Sequence, residues 1–78
     1  MVDTTYKTKD LAEAAALMVI GQSLKDIERE AGVCWFVFSG GQQSQDISNK
    51  YYFGELLVNA RDYQEAMKRL KNLIFTRN

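Results

Sequence analysis

Residues 33–38, VCWFVF, set the architecture of this chain because they form an unbroken run of apolar, β-branched and aromatic side chains. Such a run is typical of a strand that is central in its sheet or buried on both faces. Residues 23–30, just before it, carry charged side chains around Leu24 and Ile27, which is typical of an edge strand. The turn between them, EAG at residues 30–32, ends in a glycine that can adopt positive φ. We therefore predict a β-hairpin whose second strand lies inside the sheet.

Helices are predicted on both sides of this hairpin. Residues 9–20 place apolar side chains at helical spacing, with Thr8 as the expected N-cap and Gly21 as a left-handed C-cap. Residues 44–53 are predicted to form a second helix, which Gly54 ends. These two helices are expected to pack against the hairpin.

The last third of the chain has the clearest helix signature. Asn59 is the expected N-cap, and Val58 and Tyr63 have the spacing of a hydrophobic staple. Apolar side chains then recur at helical spacing along residues 63–74. Residues 55–58, just before this helix, are expected either to form a third strand or to pack under the helices.

The predicted fold class is α+β, with three helices packed on a small antiparallel sheet in the order α-β-β-α-(β)-α. The 78 residues are expected to form a single domain, 1–78, with frayed ends at 1–5 and 76–78. The core of so short a chain supplies only about 3–5 kcal/mol of net stability, which leaves little for a strained active site.

The residue types present argue against catalysis. The chain has no histidine, which removes the usual general base and the commonest metal ligand. With one cysteine and no histidine, a zinc site cannot be assembled within the chain. We interpret the acidic residues as solvated, at helix starts and on the edge strand, and Cys34 as a small buried hydrophobe. Gly40 and Gly41 lack the lysine and hydroxyl residue of a phosphate-binding loop, so no enzymatic activity, cofactor or metal is expected.

The charge of the chain is balanced, with 10 basic and 10 acidic residues. This neutrality provides no general attraction for nucleic acid or for an anionic membrane. Residues 59–78 nevertheless carry five basic against two acidic residues, a net charge of +3. The single cysteine, the lack of a long apolar run and the lack of a signal-peptide pattern favour a cytoplasmic protein with no membrane partner.

Two groups of residues are candidate contacts for nucleic acid or for a protein partner. The first is a pair of tyrosines beside a lysine, one of which could stack on a base or anchor a partner, and the second is the basic side of the last helix. The alternatives are a tyrosine packed at the helix edge with its hydroxyl in water, and a solvated helix face whose cations complement the helix dipole. The candidates are Lys50, Tyr51, Tyr52, Arg61, Lys68, Arg69 and Lys71.

Four segments, YKTKDL (6–11), IEREAGVCWFVF (27–38), KYYFGELLVNARDY (50–63) and LKN (70–72), resemble a small family of bacterial and phage proteins described as a domain of unknown function. The resemblance covers nearly the whole chain. It implies a short, stand-alone protein in a bacterial or mobile-element setting, and it brings with it no activity and no site residues.

Two hypotheses about function follow from these observations. The first is a non-catalytic protein-interaction module, with a homodimer through the edge strand or the last helix as one form of it. It rests on apolar and aromatic side chains in excess of what so short a chain can bury. The second is a nucleic-acid-binding protein that uses the basic last helix and the tyrosines near Lys50. Because the chain is neutral, we rank the interaction module first.

Overall fold

A three-stranded antiparallel sheet and three helices form the domain, and the computed structural model describes residues 5–76. The elements in chain order are β1 (Thr5–Thr8), α1 (Leu11–Ile20), β2 (Leu24–Glu30), β3 (Val33–Ser39), α2 (Gly41–Tyr52) and α3 (Ala60–Thr76). The strand order in the sheet is β1-β3-β2. The predicted α+β class is therefore confirmed.

The β2–β3 hairpin was predicted correctly, with β3 in the centre of the sheet and β2 at its edge. Glu30 lies opposite Val33, so the connection is a two-residue turn formed by Ala31 and Gly32. Both residues have positive φ, 51° and 81°, which is the conformation that matches the twist of a tight hairpin. Gly32 adopts this conformation at no steric cost, whereas the Cβ atom of Ala31 makes positive φ sterically unfavourable.

The core lies between the helices and one face of the sheet. Alternation along β3 directs Phe36 and Phe38 into this core and Trp35 and Val37 to the opposite face. Cys34, expected to be a small buried hydrophobe, is half-buried and packs against the core. The buried core residues are Ala14, Ala15, Leu17, Ile27, Phe36, Phe38, Ala66 and Leu70. The domain thus has two layers, and its shortest dimension is 18 Å.

The start of the described chain differs from the prediction. Thr8 is the last residue of β1 and lies opposite Phe36 of β3. Thr8 is therefore not the N-cap of α1. Asp10 has that role, because its Oδ1 accepts hydrogen bonds from the backbone N–H groups of Ala12 and Glu13 at 2.9 and 3.2 Å. The threonine lies too far before the helix, and its Oγ1 accepts a hydrogen bond from the backbone N–H of Asp10.

Of the two alternatives predicted for residues 55–58, the third strand is wrong, because this segment forms no strand. The third strand of the sheet is β1. Helix α2 begins at Gly41, three residues before the predicted start at residue 44. The N-cap of α3 is as predicted, because Asn59 Oδ1 accepts a hydrogen bond of 3.0 Å from the N–H of Asp62.

At the two predicted frayed ends, Thr5 belongs to β1 and Thr76 belongs to α3. The rest of those ends, residues 1–4 and 77–78, lies outside the described residues.

Candidate functional site

A buried carboxyl group, that of Glu13 in the first turn of α1, is the centre of a polar cluster. The residue is 1% exposed. Its Oε1 accepts hydrogen bonds from Thr8 Oγ1 at 2.5 Å and from the Tyr52 hydroxyl at 2.9 Å. Its Oε2 accepts one from the Tyr6 hydroxyl at 2.6 Å. Three hydroxyl donors therefore converge on one carboxylate, which supplies only acceptors when ionised.

A serine of α2 extends this cluster. Ser48 is 2% exposed, and its Oγ lies 3.0 Å from the hydroxyl oxygen of Tyr6. Because the single proton of Tyr6 is donated to Glu13, Ser48 is the donor in this second contact. The cluster joins β1, α1 and α2, since each of these elements contributes at least one member.

The tyrosines of this region hold their protons more strongly than a free phenol does. Burial, followed by the hydrogen bond to Glu13, raises the pKa of Tyr6 above its ordinary value. The same two causes, in the same order, raise the pKa of Tyr52. Burial, and then the charge of Asp10, raises the pKa of Tyr51. The two hydroxyls that face Glu13 are thus kept in the form that donates.

The geometry of the cluster suits a structural role better than acid–base chemistry. Glu13 and Ser48 are enclosed, and the side chain of Tyr52 covers Oε1. A substrate would have to displace a hydroxyl donor before it reached the carboxylate. What the arrangement achieves directly is to satisfy a buried charge and to fix α2 on β1 and α1.

Glu13 was missed by the sequence analysis, which assigned the acidic residues to solvent, and that interpretation is wrong for this residue. A signal was available in the composition of α1, LAEAAALMVI. A helix that is apolar on all sides is buried on all sides, so an acid within it must find hydrogen-bond donors in the interior.

The predicted contacts on α2 are Lys50, Tyr51 and Tyr52. Lys50 is exposed, and Tyr51 is partly buried. Tyr52 is 61% exposed, yet its hydroxyl is directed to Glu13. The two rings meet edge to face with centroids 5.1 Å apart. The hydroxyl of Tyr52 is therefore engaged in a hydrogen bond within the domain.

The predicted contacts on α3 are all exposed. Arg61 lies 4.0 Å from Glu65, one helical turn away, and so makes a weak surface ion pair. Lys68, Arg69 and Lys71 follow in the next turns of the helix. The two predicted groups are on different helices, α2 and α3, each of which packs against α1.

The connection between α2 and α3, residues 53–59, exposes two large apolar side chains that the sequence analysis did not single out. Phe53 is 79% exposed and Leu57 is 91% exposed. Gly54, with a φ of 73°, turns the chain between them. We refer to residues 53–59 as the apolar connection.

A groove of about 460 Å³ runs between the beginning of β2 and α3, and we call it the β2 groove. It is lined by residues 22–23 before the strand and 24–27 within it, by Met18 from α1, and by Arg69 and Leu73 from α3. A second, smaller groove of about 370 Å³ lies between α1 and α3, and Arg69 borders both.

Two further properties concern residues 5–76. These residues contain no group of three or more cysteine, aspartate or glutamate side chains placed to hold a metal ion. None of their helices combines the length and the apolar character needed to cross a membrane.

Comparison with curated proteins and comparison with solved structures each give no significant match. Residues 3–76, which are nearly the whole chain, match one protein family. The chain belongs to the family described as a domain of unknown function, DUF5659.

Proposed function

We propose that this domain is a non-catalytic protein-interaction module that self-associates through the apolar connection. The observation that carries the proposal is the exposure of Phe53 and Leu57, at 79% and 91%, within one short connection. Burying a phenylalanine or leucine side chain yields about 1.5–3 kcal/mol, and a two-fold interface uses each side chain twice.

The charge of the chain supports self-association. Its formal net charge is zero, so two copies approach each other without long-range repulsion. A second copy of the protein is also a partner for the apolar connection that is always present, at the concentration of the protein itself.

The non-catalytic part of the proposal is supported by the residue chemistry. The chain contains no histidine, and its buried carboxylate, Glu13, is enclosed by hydroxyl donors. A bacterial or phage-related setting belongs to the proposal on the strength of the sequence resemblance, and a reducing cytoplasm on the strength of the single cysteine.

Light scattering coupled to gel filtration, from low to high micromolar concentration, tests the proposal. The wild type is expected to approach twice its monomer mass as the concentration rises, whereas the double variant Phe53→Ser/Leu57→Ser stays monomeric. Phe75→Ser is the matched control, since Phe75 is 75% exposed at the other end of α3. A wild type that remains monomeric at every concentration overturns the proposal.

Nucleic-acid binding is the second candidate function, and the exposed cations Lys68, Arg69 and Lys71 of α3 favour it. It ranks second because the chain is neutral and because Asp62 and Glu65 lie on the same helix.

Fluorescence anisotropy with labelled DNA and RNA at about 50 and about 200 mM salt distinguishes this function from the first. Lys68→Gln/Arg69→Gln is expected to weaken binding and to flatten its salt dependence, whereas Arg61→Gln, next to an acid, has the smaller effect. Binding that is indifferent to the Lys68 and Arg69 substitutions contradicts this second function.

A further inference from the structure

The β2 groove has the size of a small-molecule site and an apolar floor. Its volume of about 460 Å³ lies within the range of about 300–1,000 Å³ that such sites occupy. Four apolar side chains contribute to its lining, those of Met18, Leu24, Ile27 and Leu73. Each of them belongs to the core or packs against it, so the core holds the floor of the groove in place.

Two basic side chains line the groove from different elements. Lys25 contributes from β2 and Arg69 from α3, and both residues are exposed. Within residues 5–76, neither side chain takes part in an ion pair or a hydrogen bond. The donors of both cations are therefore available to a ligand in the groove.

An irregularity of the sheet accounts for the place of Lys25. Leu24 lies opposite Phe38 and Asp26 lies opposite Val37, the next residue of β3, so Lys25 is an extra residue without a partner in that strand. An extra residue of this kind bends the strand and changes the direction of a side chain. In a regular strand, alternation would place Lys25 on the face opposite to that of Leu24. The bulge lets both residues line the same groove.

The negative charges near the groove are already engaged. Asp26 is the single acid among the described residues that line it, and its Oδ1 accepts a hydrogen bond of 2.8 Å from the backbone N–H of Ile27. Glu65 precedes Arg69 by one turn of α3, but it lies 4.0 Å from Arg61 and does not line the groove. Two cations against one acid give the lining a net positive charge, which favours an anion.

We infer that the β2 groove binds a small amphipathic anion, namely a carboxylate or a phosphate on a short apolar body. The acidic group contacts Lys25 and Arg69, since a guanidinium can donate to two oxygens of either group at once. The apolar body lies on Met18, Leu24 and Leu73. The inference goes beyond the proposed self-association and does not depend on it, because the apolar connection does not line this groove.

An NMR titration of the isotope-labelled protein tests this inference, with octanoate and octyl phosphate as the probes. Each is expected to shift the backbone amide signals of residues 22–27 and 69–73 saturably, and the tighter of the two identifies the preferred acidic group. Octanol and octylamine, which have the same apolar body without the negative charge, are expected to bind at least about tenfold more weakly. Acetate and inorganic phosphate, which lack the apolar body, are also expected to bind more weakly.

A pair of matched variants separates the site from the net charge. Lys25→Gln/Arg69→Gln is expected to lower the affinity for both anions at least about tenfold and to leave the affinity for octanol unchanged. Lys68→Gln/Lys71→Gln removes the same charge from α3 at residues that do not line the groove, and it is expected to bind like the wild type. All four residues are exposed, so both variants are expected to fold.

Each contrary outcome overturns the inference. The first is that neither anion shifts residues 22–27 and 69–73, or that the shifts fall in the apolar connection instead. The second is that octanol binds as tightly as the anions, or that the control variant loses as much affinity as Lys25→Gln/Arg69→Gln. The third is that a short oligonucleotide displaces octanoate, because the two cations would then belong to a nucleic-acid site.

The inference and the proposed self-association can fail separately. Phe53→Ser/Leu57→Ser is expected to bind octanoate with the affinity of the wild type, whereas light scattering shows it as a monomer. Loss of octanoate binding in this variant would place the anion at the apolar connection and overturn the inference.

Discussion

The Tyr52 hydroxyl donates a hydrogen bond of 2.9 Å to Oε1 of Glu13, a residue 39 positions earlier in the chain. The bond joins the last turn of α2 to the first turn of α1. Tyr6 brings β1 to the other oxygen of the same carboxylate. A single buried side chain thus holds three elements together, and the hydroxyls of its two tyrosine partners can be removed one at a time by replacing tyrosine with phenylalanine.

Removing either hydroxyl is expected to destabilise the fold. Tyr6→Phe leaves Oε2 of the enclosed carboxylate without this donor, at a cost of about 1–3 kcal/mol in the free energy of unfolding. Tyr52→Phe is expected to cost less, about 0.5–1.5 kcal/mol, because Tyr52 is largely exposed and water can replace its hydroxyl. Urea unfolding followed by the fluorescence of Trp35 measures both. A Tyr6→Phe protein as stable as the wild type would contradict a stabilising role for the cluster.

Stability is expected to fall at alkaline pH. Tyr6 and Tyr52 have pKa values that are higher in the folded protein than in the unfolded chain, so the folded state holds these protons more tightly. Their contribution is fully present below about pH 10 and is lost as the pH rises through the folded-state pKa values.

Urea midpoints at about pH 8 and about pH 11 measure this loss. Tyr6→Phe/Tyr52→Phe is expected to lose less stability over that interval than the wild type does, because it lacks the two phenols. Since lysines titrate in the same range in both proteins, the difference between them isolates the tyrosines. An identical loss in both would contradict the prediction.

Replacing the central carboxylate tests the same cluster from its acceptor side. Glu13→Gln places an amide donor among hydroxyl donors and is expected to cost about 1–3 kcal/mol. It also removes the charge that helps to raise the pKa values of Tyr6 and Tyr52, so the alkaline loss of stability should still begin at about pH 10 but should be smaller than in the wild type. Glu28→Gln, which breaks an exposed ion pair with Lys7, is the control and is expected to cost at most about 1 kcal/mol.

The hairpin turn offers a stabilising substitution. Ala31 has a φ of 51°, a conformation that an alanine side chain disfavours by about 1–2 kcal/mol. Asparagine tolerates it better, and Asn-Gly is the preferred pair for a two-residue turn with both φ values positive. Ala31→Asn is therefore expected to raise the free energy of unfolding by up to about 1 kcal/mol, measured by urea unfolding. A lower midpoint would show that the turn is not strained.

The sequence was sufficient to predict what depends on local pattern. The run 33–38 identified the central strand, the charges of 23–30 identified the edge strand, and Asn59 identified the start of the last helix. These features are encoded by residues close to one another in the chain, through strand propensity, charge placement and N-capping.

Features that depend on distant residues were not predictable in the same way. β1 is four residues long and has no apolar run; it pairs with β3, and its Tyr6 and Thr8 donate hydrogen bonds to Glu13 of α1. The direction of the Tyr52 hydroxyl likewise depends on α1 and not on its neighbours in α2. Leu57 is exposed within the segment 55–58, which forms no strand, and its neighbours in the sequence do not predict that exposure.

The strand order β1-β3-β2 has a consequence for the route by which the chain folds. β2 and β3 are joined by two residues, whereas β1 reaches β3 only by closing a loop that contains α1 and β2. Because short loops close at the smallest entropic cost, we expect the hairpin to belong to the folding nucleus and β1 to dock after the rate-limiting barrier. Ala31→Asn should then accelerate refolding, while Tyr6→Phe should leave the refolding rate unchanged and accelerate unfolding.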